Sequence, residues 1–90
     1  MTYSLVIKPA VDKILAKTSK KNKKQYEIML RKVSEILENP QHYKNLRAPL
    51  QDWKRVHIDR SFVLCFSVDE KNKTVILEDF DHHDNIYRRK

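Results

Sequence analysis

The sequence contains no glycine. Phosphate-cradling loops and dinucleotide-binding turns rely on glycine for positive φ and for close approach of backbone to phosphate, so those two enzyme classes drop out. Cysteine occurs once. Cys65 stands in an apolar run, which excludes a disulfide framework and a thiolate metal cage and leaves it a small hydrophobe. No apolar run approaches the ~20 residues of a membrane-spanning helix. The opening MTYSLVIKPA lacks the basic and long apolar stretches of a secretory signal, so a cytoplasmic protein with no membrane-embedded part is expected. Ninety residues limit the architecture to one domain, 1–90. A chain this short buries only about 60–65% of the surface its unfolded form exposes, too little for a second core.

Positive charge is abundant. There are 19 Lys and Arg against 12 Asp and Glu, a net charge of +7. That balance points to a polyanionic partner, nucleic acid first and an anionic membrane surface second. Residues 1–47 hold 11 basic and 4 acidic side chains, and residues 48–90 hold 8 of each, so the whole excess lies in the first half. It is densest at Lys17, Lys20, Lys21, Lys23 and Lys24. Such a run is either a solvated turn or a phosphate-steering patch of salt-sensitive, sequence-independent affinity.

Periodicity outlines the fold. Tyr3, Leu5 and Ile7 alternate with Ser4 and Val6, as in a short strand. Pro9 suits the first turn of a helix, whose stripe is Val11, Ile14 and Leu15 and which stops near Thr18–Ser19. A second helix spans about Asn22 to Glu38, with a stripe of Tyr26, Met29, Leu30, Val33, Ile36 and Leu37. The two form a hairpin with the lysine run at its joint. From Trp53 the period becomes two: strands over 53–58, 62–68 and 74–77 are separated by turns at 59–61 and 69–72. The expected class is α+β: an N-terminal strand, a basic helical hairpin, and an antiparallel three-stranded meander with the helices on one face. The packing face carries Phe62, Leu64, Phe66 and Val68, while Trp53, Arg55 and His57 look the other way.

Chemistry concentrates beyond the last strand. Residues 81–89, read as an extended tail, bring together imidazole, phenol and guanidinium groups. These suit acid–base work on a phosphodiester and stabilisation of charge building on its oxygens. A metal site among Asp79, Asp81, His82, His83 and Asp84 is not adopted, because adjacent residues on an extended segment point apart.

The order of elements, and a tail His82-His83-Asp84-Asn85-Ile86-Tyr87 similar to a pattern H-(R/H)-x-x-(I/V)-Y, resemble the RelE/ParE superfamily of toxins over almost the whole chain. Pro49-Leu50-Gln51-Asp52-Trp53-Lys54 is similar to the YafQ-like branch. The resemblance implies a type II toxin acting as a ribosome-dependent mRNA endoribonuclease. No metal or cofactor takes part, and the substrate's 2′-hydroxyl attacks the adjacent phosphate. It also implies a cognate antitoxin in a hetero-oligomer, with ribosome and mRNA as further partners. Carried over by position, His83 is the proton-transfer residue, His57 an assisting histidine and Tyr87 the aromatic that orients substrate. Phe62 stands where YafQ-like proteins carry tryptophan. The chain departs from the family at Val63, Ala48 and Ser61, where relatives carry arginine, histidine and aspartate. Arg60 and Arg47 are near enough in sequence to replace the lost charge. Lys54, Arg55, Lys20, Lys21, Lys23 and Lys24 complete the expected RNA-binding set. The alternative is a toxin-fold protein that only binds, either a gyrase-poisoning relative or a member with a degraded site.

Overall fold

The computed structural model describes residues 2–46, 48 and 50–88. Strand β1 (Ser4–Ile7) leads into helix α1 (Pro9–Lys21) and helix α2 (Lys23–Glu38). Strands β2 (Lys54–Ile58), β3 (Phe62–Asp69) and β4 (Thr74–His82) follow, and a short helix α3 (His83–Arg88) ends the described chain. The sheet order is β1-β4-β3-β2. β2, β3 and β4 form the expected antiparallel meander, and β1 pairs in parallel with β4, from Ser4 opposite Thr74 to Ile7 opposite Leu77. The α1–α2 hairpin is therefore the crossover that a parallel pairing requires.

Pro9 opens α1 at a position where its missing N–H is no loss. A single residue, Asn22, separates the helices; its side chain accepts the Gln25 N–H at 3.1 Å and caps α2. The lysine run is thus not a joint loop, as expected, but the last turn of α1 and the first of α2. α2 buries Met29 and Ile36 against the sheet. Leu30, assigned to the buried stripe from the sequence, is 49% exposed, and the polar Gln25 is buried instead. This hairpin face of the sheet contributes Val56, Ile58, Leu64, Phe66, Val75 and Leu77 to the main core. Each such side chain stabilises the fold by roughly 1.5–3 kcal/mol. With no glycine in the chain, the left-handed turn positions fall to Asp59 (φ 61°) and Lys73 (φ 48°).

β4 runs five residues past its expected end at Leu77. In the β3–β4 register Cys65 faces Asp79 and Phe66 faces Leu77, so Glu78 is an extra residue, a bulge. The bulge reverses which side chains face the hairpin. Val75 and Leu77 point there before it, Phe80 and His82 after it. Glu78 is nearly buried, paired with Lys8 and accepting the Ser67 hydroxyl at 2.6 Å.

The segment after β4 is a helix, which corrects the extended tail. α3 lies against the sheet face opposite the hairpin. There Ile86 joins Leu46, Val63 and Cys65 in a second small core, with Leu50 and Trp53 against it. No helix among the described residues is long and apolar enough to cross a membrane.

Candidate active site

α3 begins at the residue after β4, and its first N–H, from His83, donates to the Ser61 carbonyl at 2.8 Å. That bond ties the helix to the β2–β3 turn. Four residues apart on one helical face, His83 and Tyr87 have ring centroids 6.4 Å apart. The Tyr87 hydroxyl accepts from Arg55 Nη1 at 2.9 Å. Imidazole, phenol and guanidinium thus stand in a row across the outer face of the sheet, with Tyr87 42% exposed. The phenol O–H donates to no partner among the described residues, since Tyr87 acts only as the acceptor in that bond.

The Asp84 carboxylate lies 2.9 Å from His83 Nδ1. Nε2 is therefore the nitrogen left for a substrate, an arrangement in which a carboxylate orients a base. His82 stacks on His83 with centroids 4.6 Å apart and accepts the Asp84 N–H on Nδ1 at 3.2 Å. Adjacent residues do not point apart here, since one ends a strand and the next starts a helix. His82, His83 and Asp84 bring three ligand atoms within 4.8 Å of one another, enough to hold a divalent transition ion at an open site.

The other expected residues divide between the faces. His57 is exposed on the same strand face as Arg55, two residues and about 6.7 Å along. Arg60 is exposed in the turn beside Ser61, and its guanidinium has no partner among the described residues. Arg47 lies outside the described residues. Lys54 is on the opposite strand face, donating to the Tyr43 carbonyl at 3.2 Å and Asn45 Oδ1 at 2.9 Å. Phe62 also faces the hairpin, stacked on Phe80 (5.4 Å) and edge-on to His82 (5.8 Å). The structure thus brings together His83, Tyr87 and Arg55 as a candidate site, with Arg60 and His57 at its margins; Lys54 and Phe62 lie on the other face of the sheet. Nothing in the sequence marks Asp84 as the orienting carboxylate or Ile86 as the anchor, because both roles depend on residues 83–88 being helical.

Lys20, Lys21, Lys23 and Lys24 are exposed, and none is ion-paired among the described residues. Lys20 and Lys21 suit the C-terminal end of α1. Lys23 and Lys24 sit in the first turn of α2, which has no acidic residue there, and oppose its dipole. At the far end of the sheet, hydrogen bonds from Lys73, Tyr3 and Gln41 hold the Glu70 carboxyl below its ordinary range, and Glu70 in turn raises Lys73. Asn72 lowers Asp69. Burial, with Glu35 nearby, raises the Tyr43 phenol.

No family model matches the chain. Over 88 residues it is 64% identical to RelE4, a toxin candidate of Methanocaldococcus jannaschii, covering 98% of this chain and 94% of that protein. The chain belongs to the RelE/ParE toxin superfamily. An uncharacterized protein of Methanosarcina mazei is 59% identical over 85 residues, covering 94% of this chain and 99% of its own. Solved toxins of the superfamily share the fold. The YoeB–YefM complex of Staphylococcus aureus aligns with a TM-score of 0.78 at 15% identity, over 92% of this chain and 99% of that one. A free-state arginine double mutant of Escherichia coli RelE aligns at 0.74 and 19%, over 98% and 93%. Escherichia coli YafQ aligns at 0.62 and 13%, over 94% and 98%.

Proposed function

We propose that this RelE/ParE member is the toxin of a type II toxin–antitoxin pair and cuts mRNA on the ribosome. The observation that carries the reading is the row His83–Tyr87–Arg55 on an open sheet face, with an orienting carboxylate at one end and a cation at the other. His83 Nε2 takes the proton of the ribose 2′-hydroxyl as its oxygen attacks the adjacent phosphorus. The P–O5′ bond breaks, the departing 5′-oxygen takes a proton from water, and a 2′,3′-cyclic phosphate and a 5′-hydroxyl result, His83 giving its proton back to solvent. Arg55 and Arg60 hold the charge on the phosphoryl oxygens, a role for which fixed cations are well suited. His57 is the assisting imidazole, and Tyr87 orients the substrate. The exposed lysines of the hairpin steer the protein to RNA.

The antitoxin follows from the same surface. A chain of net charge +7 with an exposed Tyr87 suits an acidic segment that folds on contact. Toxins of the same fold have been solved in toxin–antitoxin complexes.

Toe-print mapping of mRNA on translating ribosomes tests the activity. New 5′ ends that vanish with His83→Ala are expected. A folded wild-type protein that produces no new ends would leave only the binding reading.

A further inference from the structure

On the hairpin side of the sheet, away from the His83–Tyr87–Arg55 row, a cavity of about 300 Å³ opens between the α1–α2 joint and the ends of β3 and β4. Its apolar walls are Ile14, Phe62 and Phe80, and Lys17 and Lys21, one helical turn apart, bring two ammonium groups to it. Gln25 lines it at 7% exposure. Its carboxamide has no hydrogen-bond partner among the described residues; only its backbone N–H is engaged, by Asn22. The carboxamide therefore keeps its donor and acceptor capacity for a ligand that enters the cavity. Asn22 adds an amide N–H₂ without a partner among the described residues, because only its oxygen is used in capping. Asp81 borders the cavity but accepts from the Asn85 amide at 3.2 Å and the His82 N–H at 2.7 Å.

We propose that this cavity binds one nucleotide of single-stranded RNA, with its base against Phe62, its polar edge on Gln25 and Asn22, and its phosphate between Lys17 and Lys21. A carboxamide offers adjacent donor and acceptor groups, the match for a base edge. An aromatic wall is how splayed-out bases are held. The volume is at the small end of ligand sites. A helix of ~10 Å diameter cannot enter it. Phe62 makes an edge-on contact with His82, the residue before α3, so the cavity lies at the end of β4 from which the catalytic row starts. In this proposal the nucleotide held there belongs to the same RNA strand as the scissile bond and confers sequence preference. This proposal rests on RNA being the substrate.

The test is an NMR titration of the full chain with 2′-O-methylated RNA hexanucleotides of different sequence, which lack the attacking hydroxyl. Saturable shifts of the Gln25 side-chain amide are expected, separate from those on α3. Gln25→Leu should weaken binding about tenfold, the lower part of the range for an amide–base pair. It should leave the melting temperature unchanged or higher, since an unpartnered amide is replaced by apolar volume. Lys17→Ala with Lys21→Ala should flatten the salt dependence by roughly 0.7 in log K per log salt for each phosphate no longer neutralised. Shifts confined to α3 and β2, with Gln25→Leu binding as wild type, would overturn the cavity and leave the cleavage reading standing. Gln25 signals that move only on adding an antitoxin would overturn it in favour of a protein anchor. Absence of both RNA binding and ribosomal cleavage would remove the proposed function with it.

Discussion

Ile86→Ala should disable the site without touching any group that meets substrate. Ile86 is fully buried and is the side chain by which α3 enters the second core. A six-residue helix cannot persist alone, because nucleation is unfavourable and there are too few bonds to offset it. Truncating a buried isoleucine costs about 2–4 kcal/mol. That lowers the ratio of docked to undocked α3 by roughly 30- to 1,000-fold if the helix opens by itself. Whenever α3 is undocked His83 and Tyr87 leave Arg55, so cutting falls with the docked fraction. Ile86→Val, at about 0.5–1.5 kcal/mol, should keep most of the activity. Hydrogen exchange at α3 amides, the His83 N–H above all, reads the opening directly. In urea, Trp53 fluorescence should change before helix ellipticity, since Trp53 packs on the second core and the hairpin on the first. Wild-type cutting and protected α3 amides in Ile86→Ala would refute the reasoning.

His83→Ala should lower the cleavage rate by about 10²–10⁴-fold with ribosome association nearly unchanged, measured by single-turnover kinetics beside co-sedimentation. Lys23→Glu with Lys24→Glu should raise the melting temperature slightly, as acids replace bases at a helix N-terminus, yet weaken ribosome association; both falling together would mean a folding defect. Lys8→Met should destabilise by about 1–3 kcal/mol in urea titration, because it leaves the buried Glu78 carboxylate without its cation. The Glu70 carboxyl is held low, so its interactions stabilise above the ordinary glutamate range and are lost as pH falls through its folded value. Glu70→Gln should therefore flatten the acid side of the stability–pH curve, and an unchanged acid limb would contradict that linkage.

The meander, the hairpin and the separation of Arg55 and His57 from Val56 and Ile58 were legible, because each rests on a period of two or of about 3.6 that its own residues display. The end of β4 was not. Strict alternation from Val75 and Leu77 would carry Asp79 and Asp81 into the core, so the strand reads as finished; the bulge at Glu78 removes that conflict. α3 was missed because one buried residue, Ile86, is too little to declare a helical period. Lys54 and Arg55 are both basic and adjacent, but neighbouring strand residues face opposite sides, so only Arg55 reaches the outer face. Gln25 on the buried stripe of α2 was invisible for a simpler reason: a glutamine beside apolar positions reads as surface. The charge run was correctly seen, but its position inside two helices depends on Asn22 alone serving as the joint.

The bulge also governs how this strand tolerates change in length. Removing Glu78 would restore strict alternation and leave every later side chain of β4 on its present face, whereas one residue inserted after it would turn them all over. With that insertion Asp79 and Asp81 would enter the hydrophobic interior while Phe80 and His82 turned outward, and α3 would start half a pleat out of phase with Ser61 and Arg55. A substitution along 79–87 can alter chemistry alone, whereas an insertion or deletion there disorders core and chemistry in the same step. Diversification of this end of the protein is therefore confined to exchange of side chains at fixed length, and grafting its tail onto another member of the fold requires carrying Glu78, Ser67 and Lys8 with it.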